Sequence, residues 1–183
     1  MPSPDTAAIR AATPSDAAAV AAIYNHYVTD TVVTFEEEPV PAAEMARRIE
    51  AVLSKSLPWL VAVEGAEVLG YAYAAPWKDR AAYRHSVEIT VYLAHQRTGR
   101  GLGSKLYGQL LPALQARSIH AVIGGIALPN PASIALHEKF GLRKVAHFEA
   151  VGFKRNRWID VGYWQRTLDA AGPARRPARG WEA

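Results

Sequence analysis

Between residues 87 and 104 the sequence sets a strand, a glycine-rich turn and a helix start in immediate succession, an arrangement that binds anions. Val87-Glu88-Ile89-Thr90-Val91-Tyr92-Leu93 alternates apolar with polar residues and is rich in β-branched types, as a strand requires. Gln96-Arg97-Thr98-Gly99-Arg100-Gly101-Leu102-Gly103-Ser104 follows. Leu102, Leu106, Leu110 and Leu114 then recur at helical spacing. Glycines let the backbone approach a ligand closely, and the unpaired N–H groups and positive dipole end of the helix face it. Pyrophosphate suits such a site. The turn is not a P-loop, because no Gly-Lys-Ser/Thr follows at the right spacing. It is not a dinucleotide fingerprint either: Gly99-x-Gly101-x-Gly103 lacks the required spacing, and residues 120–125, about 20 positions on, hold no acid. An ordinary glycine-rich helix start is the competing reading.

Other side chains around this stretch can do acid–base or ionic work. Glu88, if partly buried on a central strand, would have its pKa raised toward working pH and could accept a proton. On the residues alone, a strand-end glutamate paired with Lys78 or Arg84 is the simpler reading. A lone histidine such as His137 on a helix face is more often a hydrogen-bonded core residue. Lys78 and Arg80 lie in a basic, aromatic loop and suit an anionic substrate group, the arginine in bidentate fashion. Tyr83 could add a hydrogen bond, and the neighbours Trp77 and Tyr73 favour a pocket over a solvated loop. Glu36, Glu37 and Glu38 read as a solvated acidic run, with Phe35 beside them as an apolar contact. His26 reads as a surface histidine.

Composition narrows the chemistry. The chain has 183 residues, which fits one domain, and it is 50% hydrophobic and 21% charged. It contains no cysteine, which excludes disulfides, thiolate zinc sites and an acyl-cysteine intermediate. No metal site is expected. Of the net charge of +4, two charges fall within residues 170–183, so the remainder is only mildly basic. No basic stripe on a recognisable module points to nucleic acid, whereas a mild positive bias suits a phosphorylated cofactor. No apolar run approaches a membrane span of about 20 residues, and Met1-Pro2-Ser3-Pro4-Asp5 does not read as a signal peptide. No membrane partner and a cytoplasmic location are therefore expected.

The elements that must position these residues follow from periodicity. A first strand is expected at residues 8–12. Thr13 caps a helix over 17–28, with Pro14 at its first position and Asp16 against its dipole. A second helix is expected over 41–56, with Met45, Ile49, Val52 and Leu53 as its stripe. Strands at 58–63 and 67–74 form a hairpin about Glu64-Gly65-Ala66. The Glu88 strand comes next, then a helix over 101–117 with Pro112 expected to kink it. A strand at 121–128, apolar on both faces, precedes a helix restarting after Pro129-Asn130-Pro131. Two further strands lie near 144–151 and 158–168. The order is β-α-α-β-β-β-α-β-α-β-β. The sheet is mostly antiparallel, parallel only across the 101–117 crossover.

This order and several blocks resemble the GNAT superfamily of N-acetyltransferases. The turn resembles that family's coenzyme A loop, Gln/Arg-x-x-Gly-x-Gly/Ala. It fits in two registers, beginning at Gln96 or, with Thr98 in place of Gln or Arg, at Thr98. Asn130-Pro131-Ala132-Ser133-Ile134-Ala135-Leu136-His137-Glu138-Lys139-Phe140-Gly141 resembles a second family block, with His137 where many relatives carry tyrosine. Together with Trp77-Lys78-x-Arg80-x-x-Tyr83 and the segment from Gly152 to Gln165, these look like phosphinothricin and methionine sulfoximine acetyltransferases.

The resemblance implies an α+β GNAT (acyl-CoA N-acyltransferase) fold in a single domain over residues 7–169, with disordered tails at 1–6 and 170–183. Its mixed, mostly antiparallel sheet is splayed at the cofactor site and flanked by helices. The implied cofactor is acetyl-CoA as co-substrate, and the implied partner is a small amino-acid-like amine, acetylated by direct attack. Glu88 would be the general base, directly or through a water. His137, near the thioester sulfur, would be general acid or would assist the base. Val91, Tyr92 and Leu93 would hold the pantetheine arm, with Asn130 adding a contact while capping its helix. Gly99, Arg100, Gly101, Leu102, Gly103 and Ser104 would hold the pyrophosphate. Phe35, Tyr73, Lys78, Arg80, Tyr83 and Thr90 would join Glu88 around the amine substrate. A homodimer is implied, with residues 158–164 as interface material. The alternatives left open are another amine (a polyamine, an aminoglycoside or a protein N-terminus) and a non-catalytic acyl-CoA sensor.

Overall fold

A computed structural model describes residues 7–168. The expectations for 1–6 and for the tail from 170 lie outside the described residues. The strands are β1 (Ala8–Ala11), β2 (Trp59–Glu64), β3 (Glu67–Pro76), β4 (Ser86–Leu93), β5 (Ala121–Ala127), β6 (Arg143–Lys154) and β7 (Arg157–Thr167). The helices are α1 (Ala17–Asp30), α2 (Ala42–Leu53), α3 (Leu102–Gln115) and α4 (Pro131–Lys139). The order along the chain is the expected one. All seven strands form one sheet, ordered β1-β2-β3-β4-β5-β7-β6. Every neighbouring pair is antiparallel except β4 and β5, which α3 joins as a crossover.

Periodicity explains the core. Leu102, Leu106, Leu110 and Leu114 recur on one face of α3 and are all buried, against β2, β3 and β4. Met45, Ile49 and Val52 do the same on α2. Trp59, Tyr71 and Tyr73 stack across the β2–β3 hairpin, with interplanar angles of 10° to 19°. On β5 only Gly125 is exposed, as expected of a strand covered on both faces.

Local details depart from the sequence reading where long-range partners intervene. α3 runs through Pro112, which falls in its last turn and forfeits only one backbone bond there. α2 stops at Leu53, and Ser56 turns the chain with a φ of 57°. The acidic run is not wholly solvated. Arg48 grips Glu36 with two bonds of 2.6 and 3.1 Å, and the Tyr24 hydroxyl donates to the same carboxylate at 2.9 Å. His26 pairs with Asp30 at 2.9 Å.

Asp16 does more than face a helix dipole. Its buried carboxylate accepts the Thr13 N–H at 2.8 Å and both terminal nitrogens of Arg10 at 2.8 and 2.6 Å, tying β1 to the start of α1. The Arg10 bonds, reinforced by Thr13, hold its pKa at about 2 instead of 3.8. With the folded value below the unfolded one, this stability is complete above the unfolded pKa and is lost as pH falls through the folded one. Discounted for the half-exposed Arg10, the arrangement contributes about 1–2 kcal/mol. Denaturant titrations should show Asp16→Asn destabilised by that amount at pH 7, with the difference from wild type shrinking between pH 4 and 2.

Candidate active site

The β4–β5 ladder is short. Ser86, Val87 and Glu88 face Ala121, Val122 and Ile123, and pairing ends there, although both strands continue. β4 remains paired with β3 as far as Leu93, and β5 with β7 as far as Ala127. The two strands therefore separate beyond Glu88, leaving a gap edged on one side by unpaired β4 backbone. A cavity of about 580 Å³ occupies this gap and reaches the start of α3. Glu88, Thr90, Val91, Tyr92 and Leu93 line it from β4, and Gly99, Gly101, Gly103 and Ser104 from the turn. Tyr73, Asn130 and His137 also border it. Of the two loop registers, Thr98 borders the cavity and Gln96 does not.

Glu88 stands where the ladder ends. The backbone N–H of Gly125 on the opposite strand faces its carboxylate and favours the charged form. A Cβ at position 125 would come within 3.0 Å of its Oε1 and 3.2 Å of the Tyr163 ring, so the absent side chain makes room for both. Burial pushes the carboxyl above the usual carboxylate range, against the opposing pull of Lys78 and the Gly125 N–H. Glu88 is thus a half-buried carboxylate with a raised proton affinity.

His137 is 3% exposed. Its Nδ1 lies 2.7 Å from the Ser133 carbonyl, which can only accept, so Nδ1 carries the proton. Burial lowers its pKa and keeps the ring neutral. The bare Nε2 then accepts from the Tyr107 hydroxyl at 3.1 Å. Tyr107 is fully buried, its pKa pushed up by burial, so it stays protonated. Both ring nitrogens of His137 are engaged, and it offers no free N–H to the cavity. Tyr107 escaped the sequence reading, although its spacing from Gly103 on one helix face was a usable signal.

The turn is built for an anion. Gly99 and Gly101 hold φ values of 75° and 76°, a conformation that favours glycine, and Gly101 leads directly into α3. No side chain caps that helix, so its first N–H groups stay available. Lys139 reaches across from α4 to donate to Ser104 at 2.9 Å, a cation at the helix start that sequence reasoning missed. Arg97 anchors the turn's entry through Glu67 at 2.8 Å. Arg100 is exposed and does not border the cavity, and the Leu102 side chain is packed in the core, so only its backbone can serve a ligand. Asn130 caps α4 through the Ser133 N–H at 3.1 Å.

The remaining substrate candidates divide. Tyr73 and Thr90 stand opposite each other across β3 and β4. Tyr24, Tyr27 and Thr34, not singled out from the sequence, also border the cavity. Phe35 does not; its ring packs over Gly152. Lys78 acts electrostatically on Glu88 and lies 4.8 Å from the Trp77 ring. Arg80 and Tyr83 are exposed on the loop between β3 and β4, outside the cavity.

The gap accommodates an extended, amide-bearing chain ending in a phosphate group. Unpaired β4 backbone can pair with the amides, and the α3 start can take the phosphates. Comparisons with known proteins agree. Residues 9–162 match the acetyltransferase (GNAT) domain. The chain is 43% identical over 171 residues to a phosphinothricin N-acetyltransferase of Streptomyces viridochromogenes, covering 93% of this chain and 92% of that one. It is 35% identical to an L-methionine sulfoximine/L-methionine sulfone acetyltransferase of Pseudomonas paraeruginosa, covering 90% and 96%. A crystal structure of a phosphinothricin acetyltransferase from Sinorhizobium meliloti with acetyl-CoA superposes with a TM-score of 0.88 at 36% identity, covering 96% and 95%.

The Tyr107–His137 pair depends on the glycine beneath it. A Cβ on Gly124 would sit 2.4 Å from His137 Nε2, whereas one on Gly108 meets nothing within 4 Å. Gly124→Ala should displace the imidazole and lower stability by about 1–3 kcal/mol in urea titrations. Gly108→Ala, in mid-helix, should be stabilising by under about 1 kcal/mol.

Proposed function

The chain belongs to the GNAT acetyltransferase family, and on that premise we propose that it acetylates the primary amine of a small amino-acid-like substrate of the phosphinothricin or methionine sulfoximine type. The observation that carries the reading is Glu88, a half-buried carboxylate of raised proton affinity at the point where the β4–β5 ladder ends. Acetyl-CoA, the family's co-substrate, supplies the thioester that the amine attacks. Val91, Tyr92 and Leu93 hold its pantetheine arm, and Gly99, Gly101, Gly103 and Ser104, with Lys139 beside them, hold its phosphates.

The substrate arrives as an ammonium ion, which has no lone pair to attack with. Glu88 takes its proton, directly or through a water, and its raised pKa brings proton affinity closer to the amine's. Lys78, whose charge acts on Glu88, receives the acidic end of the substrate. Tyr107 gives its one O–H to neutral His137, which holds it in place, so the leaving thiolate takes the second proton that the attacking amine sheds. His137 is thus a positioning residue for Tyr107. Acetylation of a toxic amino-acid analogue would remove its free amine, and resistance would follow.

We also propose that the protein is a cytoplasmic homodimer joined through the β6–β7 hairpin. Val145, Phe148, Val151, Phe153 and Trp158 are all exposed there, Trp158 to 66%. Trp164 is 2% exposed and belongs to the core, so the apolar material expected at 158–164 narrows to Trp158 and shifts toward β6. Analytical ultracentrifugation should find a dimer for the wild type and a folded monomer for Trp158→Glu combined with Phe148→Glu; a monomeric wild type rejects this assembly.

A thiol-release assay with phosphinothricin, methionine sulfoximine, a polyamine, an aminoglycoside and an N-terminal peptide should give turnover with the first two. CoA release with none of the panel would favour a sensor. Glu88→Gln should lower kcat about 10²–10⁴-fold with little change in acetyl-CoA affinity. In the wild type, kcat should fall as pH drops through the raised pKa of Glu88, and this limb should be absent in the variant.

A further inference from the structure

The tip of the β6–β7 hairpin holds a charge in an unusual place. Along β6, Val151 and Phe153 face outward, while Gly152 and Lys154 face inward and are buried. Lys154 is 4% exposed, although an ammonium costs several kcal/mol to bury without partners. Its Nζ donates to the Val28 carbonyl at 2.7 Å and to the Thr34 carbonyl at 2.8 Å. The next residue, Arg155, donates to the Thr29 carbonyl at 2.7 Å. Val28 and Thr29 lie in the last turn of α1, where carbonyls lack intrahelical donors. That turn carries Asp30 and no basic residue of its own. The hairpin turn therefore supplies, from the far end of the chain, the two cations that the negative end of α1 calls for.

The second acceptor of Lys154 connects this contact to the cavity. Thr34 and Val33 form part of the cavity wall, and the Thr34 hydroxyl is 2.7 Å from that of Tyr24, another wall residue. The neighbouring Phe35 is pressed on Gly152, where a Cβ would lie 2.2 Å from its ring. Two successive residues of the loop after α1 are thus fixed by two inward positions of the hairpin.

We propose that Lys154 is a positioning residue for acceptor binding: its buried ammonium ties the β6–β7 turn to α1 and to Thr34, and so sets the wall that Val33, Thr34 and Tyr24 present to the amine substrate. The proposal rests on the acetyltransferase reading of the cavity. It assigns Lys154 no contact with substrate and no proton to move. Removing its donors should loosen residues 31–36 and weaken acceptor binding, leaving the coenzyme side, built on β4 and the α3 start, as it was.

The test uses Lys154→Met, which keeps length and loses the donors, and Lys154→Arg, which keeps them. In Lys154→Met the amine KM should rise roughly tenfold or more, with kcat and the acetyl-CoA KM within about threefold of wild type. Lys154→Arg should recover most of the amine KM. Hydrogen exchange on the substrate-free protein should be faster at residues 31–36 in Lys154→Met and restored in Lys154→Arg. If Lys154→Met does not fold, Lys154→Gln, which retains an N–H donor without the charge, takes its place with an intermediate loss expected. An unchanged amine KM in a folded variant, or amine and acetyl-CoA KM rising together, overturns the proposal. If the wild type acetylates none of the amines, the acetyltransferase reading fails by itself; exchange at 31–36 then decides the latch, and unchanged exchange overturns it.

Discussion

The structure turns on the end of one hydrogen-bonded ladder. β4 and β5 are the only parallel neighbours among the described strands, and they pair over three residues before separating. Backbone donors and acceptors facing a gap would be costly if they stayed dry and unpaired. Here the gap opens into a cavity, and an extended ligand can take the place of the missing strand. The outer pairs do not open with it, because β3 and β7 hold β4 and β5 along their full lengths. The splay is thus a rigid feature of the sheet.

Ionisable and polar side chains gather at the fork for the same reason. Glu88 occupies the last paired position of β4, and its carboxylate lies toward Gly125 as the strands part. There it is dry enough for its pKa to rise, yet still borders the cavity. The glycines of β5 work in parallel. Gly125 admits Glu88 and Tyr163, and Gly124 admits His137, which in turn holds Tyr107. A strand apolar on both faces and carrying two adjacent glycines is weak by propensity. Its two glycines let polar side chains approach its backbone closely.

The candidate site was legible in part. The strand, the glycine turn and the α3 stripe are local patterns, and they gave the anion site and the crossover. Glu88 became a catalytic candidate through resemblance, because nothing in its own spacing separates a base from a surface ion pair. His137 was found, but its partner Tyr107 lies 30 residues away and was read only as part of a helix. Lys154 donates to a carbonyl 126 residues distant, and nothing near it in the chain signals a buried cation. The acidic run at 36–38 read as solvated because Arg48, which takes Glu36, lies on a different element.

What the sequence by itself determined is the order of elements, the faces they bury and the anion-binding turn. Those features rest on periodicities of 2 and 3.6 residues and on glycine's access to positive φ, all of which act over a few residues. Tertiary structure alone decided where the parallel ladder ends, how dry Glu88 is and which group shares a proton with His137. It also decided what covers the charge of Lys154. Each of these depends on the distance between segments far apart in the chain, and burial and hydrogen-bond partners exist only once those segments are packed.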